Sequence, residues 1–226
     1  MKTKKLLLLI LLPFLSSCTE PTSPTITINT TENRPVVIYT PQEVDEPSTL
    51  QVAWSHLKQG NEWTKFTQDA IRDYGQDLLN VVPNDIGAYC PKYLEYGTHK
   101  RGDFWVHLIS KLAYFESSYN IDETYQEEFP DNDGNRVISR GLLQLSIESA
   151  NGNYNCKLNN AQELHDPKTN LECAVRIFNE LVVKDGTIAR KLNGNWQGAS
   201  RYWSPFRDEV RNSKIMTYMN SLNFCH

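Results

Sequence analysis

From residue 50 onward, apolar residues recur at helical spacing and nowhere alternate long enough for a central strand. Trp63, Phe66, Ala70, Ile71, Tyr74 and Leu78 fall three or four apart before Pro83 stops the pattern, which predicts a helix. A second helix is expected over about 103–117, with Trp105, Leu108, Ile109, Leu112 and Phe115 on one stripe. A third opens at Asp166-Pro167, an N-cap residue followed by a proline whose φ is already helical. It continues through Leu171, Ala174, Val175, Phe178, Leu181 and Val182. A fourth spans roughly 206–222. Strand periodicity is so scarce that only a small hairpin is expected, between Ile121 and Gly141. The prediction is one mainly α domain over residues 50–226.

Residues 1–49 break this pattern. Lys2, Lys4 and Lys5 precede a run of ten apolar residues, too short to span a bilayer as a helix, so 1–17 are expected to be a secretory signal. It ends in Leu15-Ser16-Ser17-Cys18, which resembles the bacterial lipobox, where cysteine becomes the lipidated N-terminus. The alternative is ordinary secretion with a stray cysteine. Using Cys18 for lipid leaves Cys90, Cys156, Cys173 and Cys225, an even set. Four cysteines allow three connectivities; Cys156 with Cys173 and Cys90 with Cys225 is the favoured one. Residues 19–49 hold eight Thr, five Pro and two Ser without helical periodicity, so 18–49 reads as a tether that cannot bury enough surface to order itself. Thr19 follows the cysteine where an Asp commonly retains lipoproteins in the inner membrane. An outer-membrane anchor facing the periplasm is therefore expected.

Composition narrows the function. Apolar residues make up 39% of the 226, enough for a core, and the net charge is −4. Without the three lysines of the signal, 20 basic residues stand against 27 acidic ones, which argues against a nucleic-acid partner. There is no HExxH, paired CxxC, Gly-rich phosphate loop or GxSxG elbow, and no cofactor is implied. His56, His99, His107, His165 and His226 lack the spacing of metal ligands. Asp131-Asn132-Asp133-Gly134-Asn135 misses the glycine and glutamate offsets of an EF-hand and reads as an Asx-rich turn. Glu116 is different: it lies four residues after Leu112 and seven after Ile109, so a carboxyl shares the apolar stripe of its helix. Desolvation, and the negative end of the helix dipole, should both raise its pKa. A carboxylic acid still protonated near neutral pH is what general-acid cleavage of a glycosidic bond requires.

Three motifs surround that residue. Leu112-Ala113-Tyr114-Phe115-Glu116-Ser117-Ser118-Tyr119-Asn120, then Ser139-Arg140-Gly141-Leu142-Leu143-Gln144-Leu145, then Asp166-Pro167-Lys168-Thr169-Asn170-Leu171 together resemble the soluble lytic transglycosylase and goose-type lysozyme superfamily. They match in order and spacing over about 60 residues. The resemblance implies a lysozyme-like fold that cleaves the β-1,4 bond between N-acetylmuramic acid and N-acetylglucosamine in peptidoglycan. Glu116 is then the general acid, and Ser117, Gly141, Leu142, Leu143 and Gln144 are expected to line the glycan groove. Gly141 would let the backbone approach the sugar, and Gln144 would offer its amide. The family's Tyr-Asn-x-Gly motif is replaced by Arg201-Tyr202-Trp203-Ser204, where Trp203 either stacks on a sugar or fills the core; Asn193-Gly194 is another alignment.

Between Lys111 and Arg136 lie seven acidic residues, Glu116, Asp122, Glu123, Glu127, Glu128, Asp131 and Asp133, and no basic one. Such a segment should repel the carboxylates of peptide stems and attract the ammonium groups of deacetylated glycan, as in specialised lysozymes with that selectivity. The alternative is a solvated loop that keeps the protein soluble. A transglycosylase needs one acid/base, whereas a hydrolase needs a second carboxylate, for which Asp122, Glu123, Glu127 and Glu148 are candidates. A non-catalytic peptidoglycan-binding lipoprotein and a cysteine peptidase using Cys156 with His165 are the competing classes. The expected partners are peptidoglycan strands and, through the lipid, a membrane; the expected state is a monomer.

Overall fold

The computed structural model describes residues 50–131 and 133–226; the signal, Cys18 and the tether lie outside the described residues. The chain there is mainly helical, with two small antiparallel hairpins. The first expected helix is two, α1 (Gly60–Tyr74) and α2 (Gln76–Asn80), parted at Gly75. A Cβ on Gly75 would lie 3.1 Å from Val175 Cγ1 and from Ile71 O, so glycine lets the bend pack closely. A short α3 (Ile86–Tyr89) precedes α4 (Thr98–Ser117), which starts about five residues before the expected helix.

The α4 helix is the centre of the domain. Trp105, Leu108, Ile109 and Leu112 are buried as the stripe predicts and Phe115 is partly buried, but Phe104, Val106, His107, Ser110 and Ala113 are buried as well. The buried polar groups of its middle turns are paired. The Ser110 hydroxyl donates to His107 O, and His107 Nδ1 lies 2.9 Å from the Tyr218 hydroxyl. Burial, aided by the Lys100 charge, holds His107 down to about 4, so it is a neutral core imidazole.

After α4 come β1 (Thr124–Pro130) and β2 (Arg136–Arg140), the hairpin expected between Ile121 and Gly141. Its register runs Tyr125↔Ser139 and Gln126↔Ile138, then slips by Pro130↔Arg136, so a bulge occupies 127–129. Asp131 Oδ1 accepts from the backbone of Asp133 and Asn135, the Asx turn expected there. Next are α5 (Ile147–Asn153), capped by Ser146, and α6 (Pro167–Asp185), whose N-cap Asp166 accepts from Thr169 N at 2.8 Å. A second hairpin, β3 (Ala189–Leu192) with β4 (Asn195–Gly198), was not expected. It turns on Asn193 and Gly194, both at positive φ, the conformation that matches strand twist in a two-residue loop. That corrects the alignment of Asn193-Gly194 with the family's groove motif. The last helix, α7 (Glu209–Asn220), is shorter than expected because Ser204-Pro205-Phe206 forms a separate turn.

Both favoured disulfides are present. Cys90–Cys225 joins the end of α3 to the last turn of the chain, and Cys156–Cys173 ties the loop after α5 to α6. No thiol remains among the described cysteines, which removes the Cys156 nucleophile.

Candidate active site

The α4 helix ends abruptly because Ser118 and Tyr119 both take left-handed φ, 51° and 68°. Glu116 is left in the final turn. Its Oε1 is buried without a hydrogen-bond partner, and its pKa is raised to about 8, chiefly by burial and further by the charge of Glu127. Arg211 and Arg207 pull the other way but do not prevail. Glu116 is therefore protonated at neutral pH, as its place on the stripe predicts.

The Gly-Leu-Leu-Gln segment supports this acid from behind rather than lining the groove. The Ser117 hydroxyl donates to Leu142 O at 3.0 Å, and Leu142 and Leu143 are fully buried. Gly141 has φ 74°, and a Cβ there would fall 2.1 Å from Leu164 O and 2.5 Å from Asn170 Nδ2. Its glycine requirement comes from protein backbone, not from an approaching sugar. Asn170 locks the segment: its Oδ1 accepts from Leu143 N at 2.9 Å, and its Nδ2 donates to Arg140 O and Leu164 O. Thus Ser117, Gly141, Leu142 and Leu143, expected to contact glycan, are instead the packing that fixes where α4 ends. Gln144 does reach the groove. Its Nε2 is spent on Glu123 O and Gly141 O, and its Oε1 is buried and unpartnered.

A groove of about 670 Å³ opens beside Glu116. One wall is the first hairpin: Glu123, Tyr125, Glu127, Glu128, Phe129 and Ser139 all line it. The bulge explains how the adjacent Glu127 and Glu128 both do so, since a regular strand would send them to opposite faces. The buried Ser139 hydroxyl donates to Glu127 Oε1 at 2.6 Å and fixes that carboxylate. Asp122 and Glu148 are exposed and do not line the groove, which corrects their candidacy as second carboxylate. Tyr125 and Phe129, 54% and 61% exposed, present aromatic rings to the groove and are not among the residues the motifs single out. Their period-two spacing with Glu127 was the available signal.

A second part of the lining comes from the C-terminal part: Arg201, Tyr202, Trp203, Ser204, Arg207 and Arg211. Tyr202 accepts from Ser146 N at 3.2 Å. Trp203 is only 1% exposed, donates to Leu143 O at 2.9 Å and stacks on Phe178, so it fills the core beneath the groove. Arg201 is paired with Asp185, whereas neither Arg207 nor Arg211 has an ion-pair partner among the described residues. The groove lining thus combines acidic residues of the hairpin segment with basic residues of the C-terminal part, which the local charge count around Glu116 did not reveal.

No family model and no curated protein matches the chain. Solved structures do. Wild-type Bd0314 DslA is 38% identical, with a TM-score of 0.75, over 78% of this chain and 98% of that one. Two variants of DslA, each with one glutamate changed to glutamine, match at the same identity with TM-scores of 0.74. The two exchanged glutamates stand eleven residues apart in DslA, and Glu116 and Glu127 stand eleven apart here. The fold is lysozyme-like, in agreement with the motif resemblance. At this identity over nearly the whole of that protein, the chain belongs to the DslA family.

Proposed function

We propose that the protein is a peptidoglycan glycosidase in which Glu116 is the general acid and Glu127 the second carboxylate. The observation that carries this reading is a carboxyl raised to about 8, with an unpartnered oxygen, in a groove that also holds a fixed and interacting carboxylate. The Glu116 proton passes to the oxygen of the β-1,4 bond between N-acetylmuramic acid and N-acetylglucosamine as that bond breaks. Glu127 then takes a proton from water, which adds to the anomeric carbon. Equal spacing to the paired glutamates of DslA supports the same two residues. A second carboxylate favours hydrolysis over anhydro-ring closure.

The preferred glycan is partly deacetylated. Glu123, Glu127 and Glu128 line one wall, and an amine freed from its acetyl group is cationic at neutral pH, so Coulomb attraction favours it there. Mass spectrometry of fragments released from one sacculus preparation, before and after deacetylase treatment, tests both statements. Faster release after treatment, with fragments heavier by one water than anhydro products, is expected. Equal or slower release would sink the preference, and anhydro ends would make the enzyme a transglycosylase.

Anchoring through Cys18 belongs to the same proposal and rests on the lipobox resemblance. Cys18→Ser should move the protein from the membrane fraction to the soluble one; continued sedimentation with membranes would exclude a lipid anchor.

A further inference from the structure

The catalytic groove does not end at Phe115. That ring also lines a second cavity, of about 460 Å³, with Lys111 and Tyr114 of α4 and Lys214, Thr217, Tyr218 and Ser221 at the end of the chain. Arg211, Lys214 and Tyr218 follow one another three or four residues apart on α7, so the basic lining of the groove continues along that helix into this cavity.

The cavity is built around cations that lack an anion. Lys111 Nζ lies 4.9 Å from the Tyr114 ring centre, 5.5 Å from Phe115 and 5.3 Å from Tyr218. Burial and the charge of Lys214 together lower its pKa, so the two ammonium groups repel each other across the pocket. Neither lysine has an ion-pair partner among the described residues. Two like charges drawn together, with Lys111 partly desolvated, destabilise the free protein, and an anion between them would relieve that cost.

The groove indicates which anion. Muramic acid carries a peptide through its lactyl ether, and that peptide leaves the sugar sideways from the glycan strand. Phe115 joins the two cavities and precedes the acid, Glu116, so a stem on a sugar beside the scissile bond has a short path to the lysines. An extended peptide covers about 3.3 Å per residue, enough for its carboxylates to reach them. We propose that the cavity formed by Lys111, Lys214 and the rings of Tyr114, Phe115 and Tyr218 binds a carboxylate of the peptide stem on the muramic acid next to the cleaved bond. This rests on the glycosidase reading of the neighbouring groove. It also gives the stem a place away from the acidic hairpin, which would repel it.

The test uses full-length Glu116→Gln protein, which binds strands without cleaving them, and soluble deacetylated glycan strands in three forms. The strands carry stems, carry stems whose carboxylates are amidated, or have been stripped by an amidase. Tighter binding to the stem-bearing strands than to the other two, by about fivefold to tenfold, is expected from two charge contacts. Adding Lys111→Met and Lys214→Met should remove that difference. Lys214→Glu alone, at an exposed position, should turn it into a disadvantage. Equal binding of all three forms by the Glu116→Gln protein would overturn the proposal, as would a preference that survives the lysine substitutions. Should wild-type protein fail to cleave any strand while lysine-dependent binding persists, the glycosidase reading falls and the stem site stands.

Discussion

Glu116→Gln is expected to abolish strand cleavage and, at alkaline pH, to raise the melting temperature. General-acid catalysis contributes on the order of 10² to 10⁴ in rate, and glutamine has no proton to give. The stability effect follows from the raised pKa, about 8 in the folded protein against a model value of 4.5. Below pH 4.5 the carboxyl is neutral whether folded or unfolded and carries no penalty. Between 4.5 and 8 the unfolded chain ionises while the folded one does not, so wild-type stability falls as pH rises, and above 8 the loss is complete. Water reaches part of this side chain, which reduces the effect to about 2 kcal/mol, or roughly 4–8 °C for a domain of this size. Calorimetry at pH 4 and pH 9 should show coincident melting at the first and a more stable variant at the second. The wild-type rate should decline above about pH 8 as the proton is lost. Cleavage by the variant would remove Glu116 from the mechanism; a pH-independent difference in melting would mean that its carboxyl is not desolvated.

Gly141→Ala is expected to be the most destabilising single-atom change near the site. Its Cβ would meet Leu164 O at 2.1 Å and Asn170 Nδ2 at 2.5 Å, and its backbone sits at φ 74°, where alanine is strained. The neighbouring backbone must move, breaking bonds that Asn170 makes to Leu143, Arg140 and Leu164. A cost of about 3 kcal/mol or more, lowering the melting point by roughly 6–12 °C, is expected. Activity should fall even below that melting point, because Leu142 O holds Ser117 at the end of α4. A variant that melts and turns over like wild type would show that this junction is not what positions Glu116.

The acid was legible because it depends on local periodicity. Glu116 follows Leu112 by one helical turn, so burial of the stripe buries the carboxyl, wherever α4 packs. The starts of α6 and of the first hairpin were equally local, set by Asp166-Pro167 and by the turn residues from Asp131 to Asn135. Chemistry fixed by distant contacts was read less well. Gly141 was assigned to a sugar because the motif resemblance implies a place on the glycan groove, whereas Leu164 O, which it must clear, lies 23 residues away. Trp203 could stack on glycan or fill the core until Phe178 and Leu143 O were placed against it.

By itself, then, the sequence determined the mainly helical class, the buried carboxyl of Glu116, an even set of four cysteines and the acidic composition of the first hairpin, while the pairing of the cysteines came from the fold. These depend on spacing of three to seven residues, on turn chemistry, on cysteine parity and on motif order. The tertiary structure decided which carboxylates reach the acid, through a bulge that turns Glu127 and Glu128 toward one groove. It also brought Arg207 and Arg211, about ninety residues after Glu116, into the lining of the same groove. A net charge counts such groups without regard to place, and only packing gathers them around one groove.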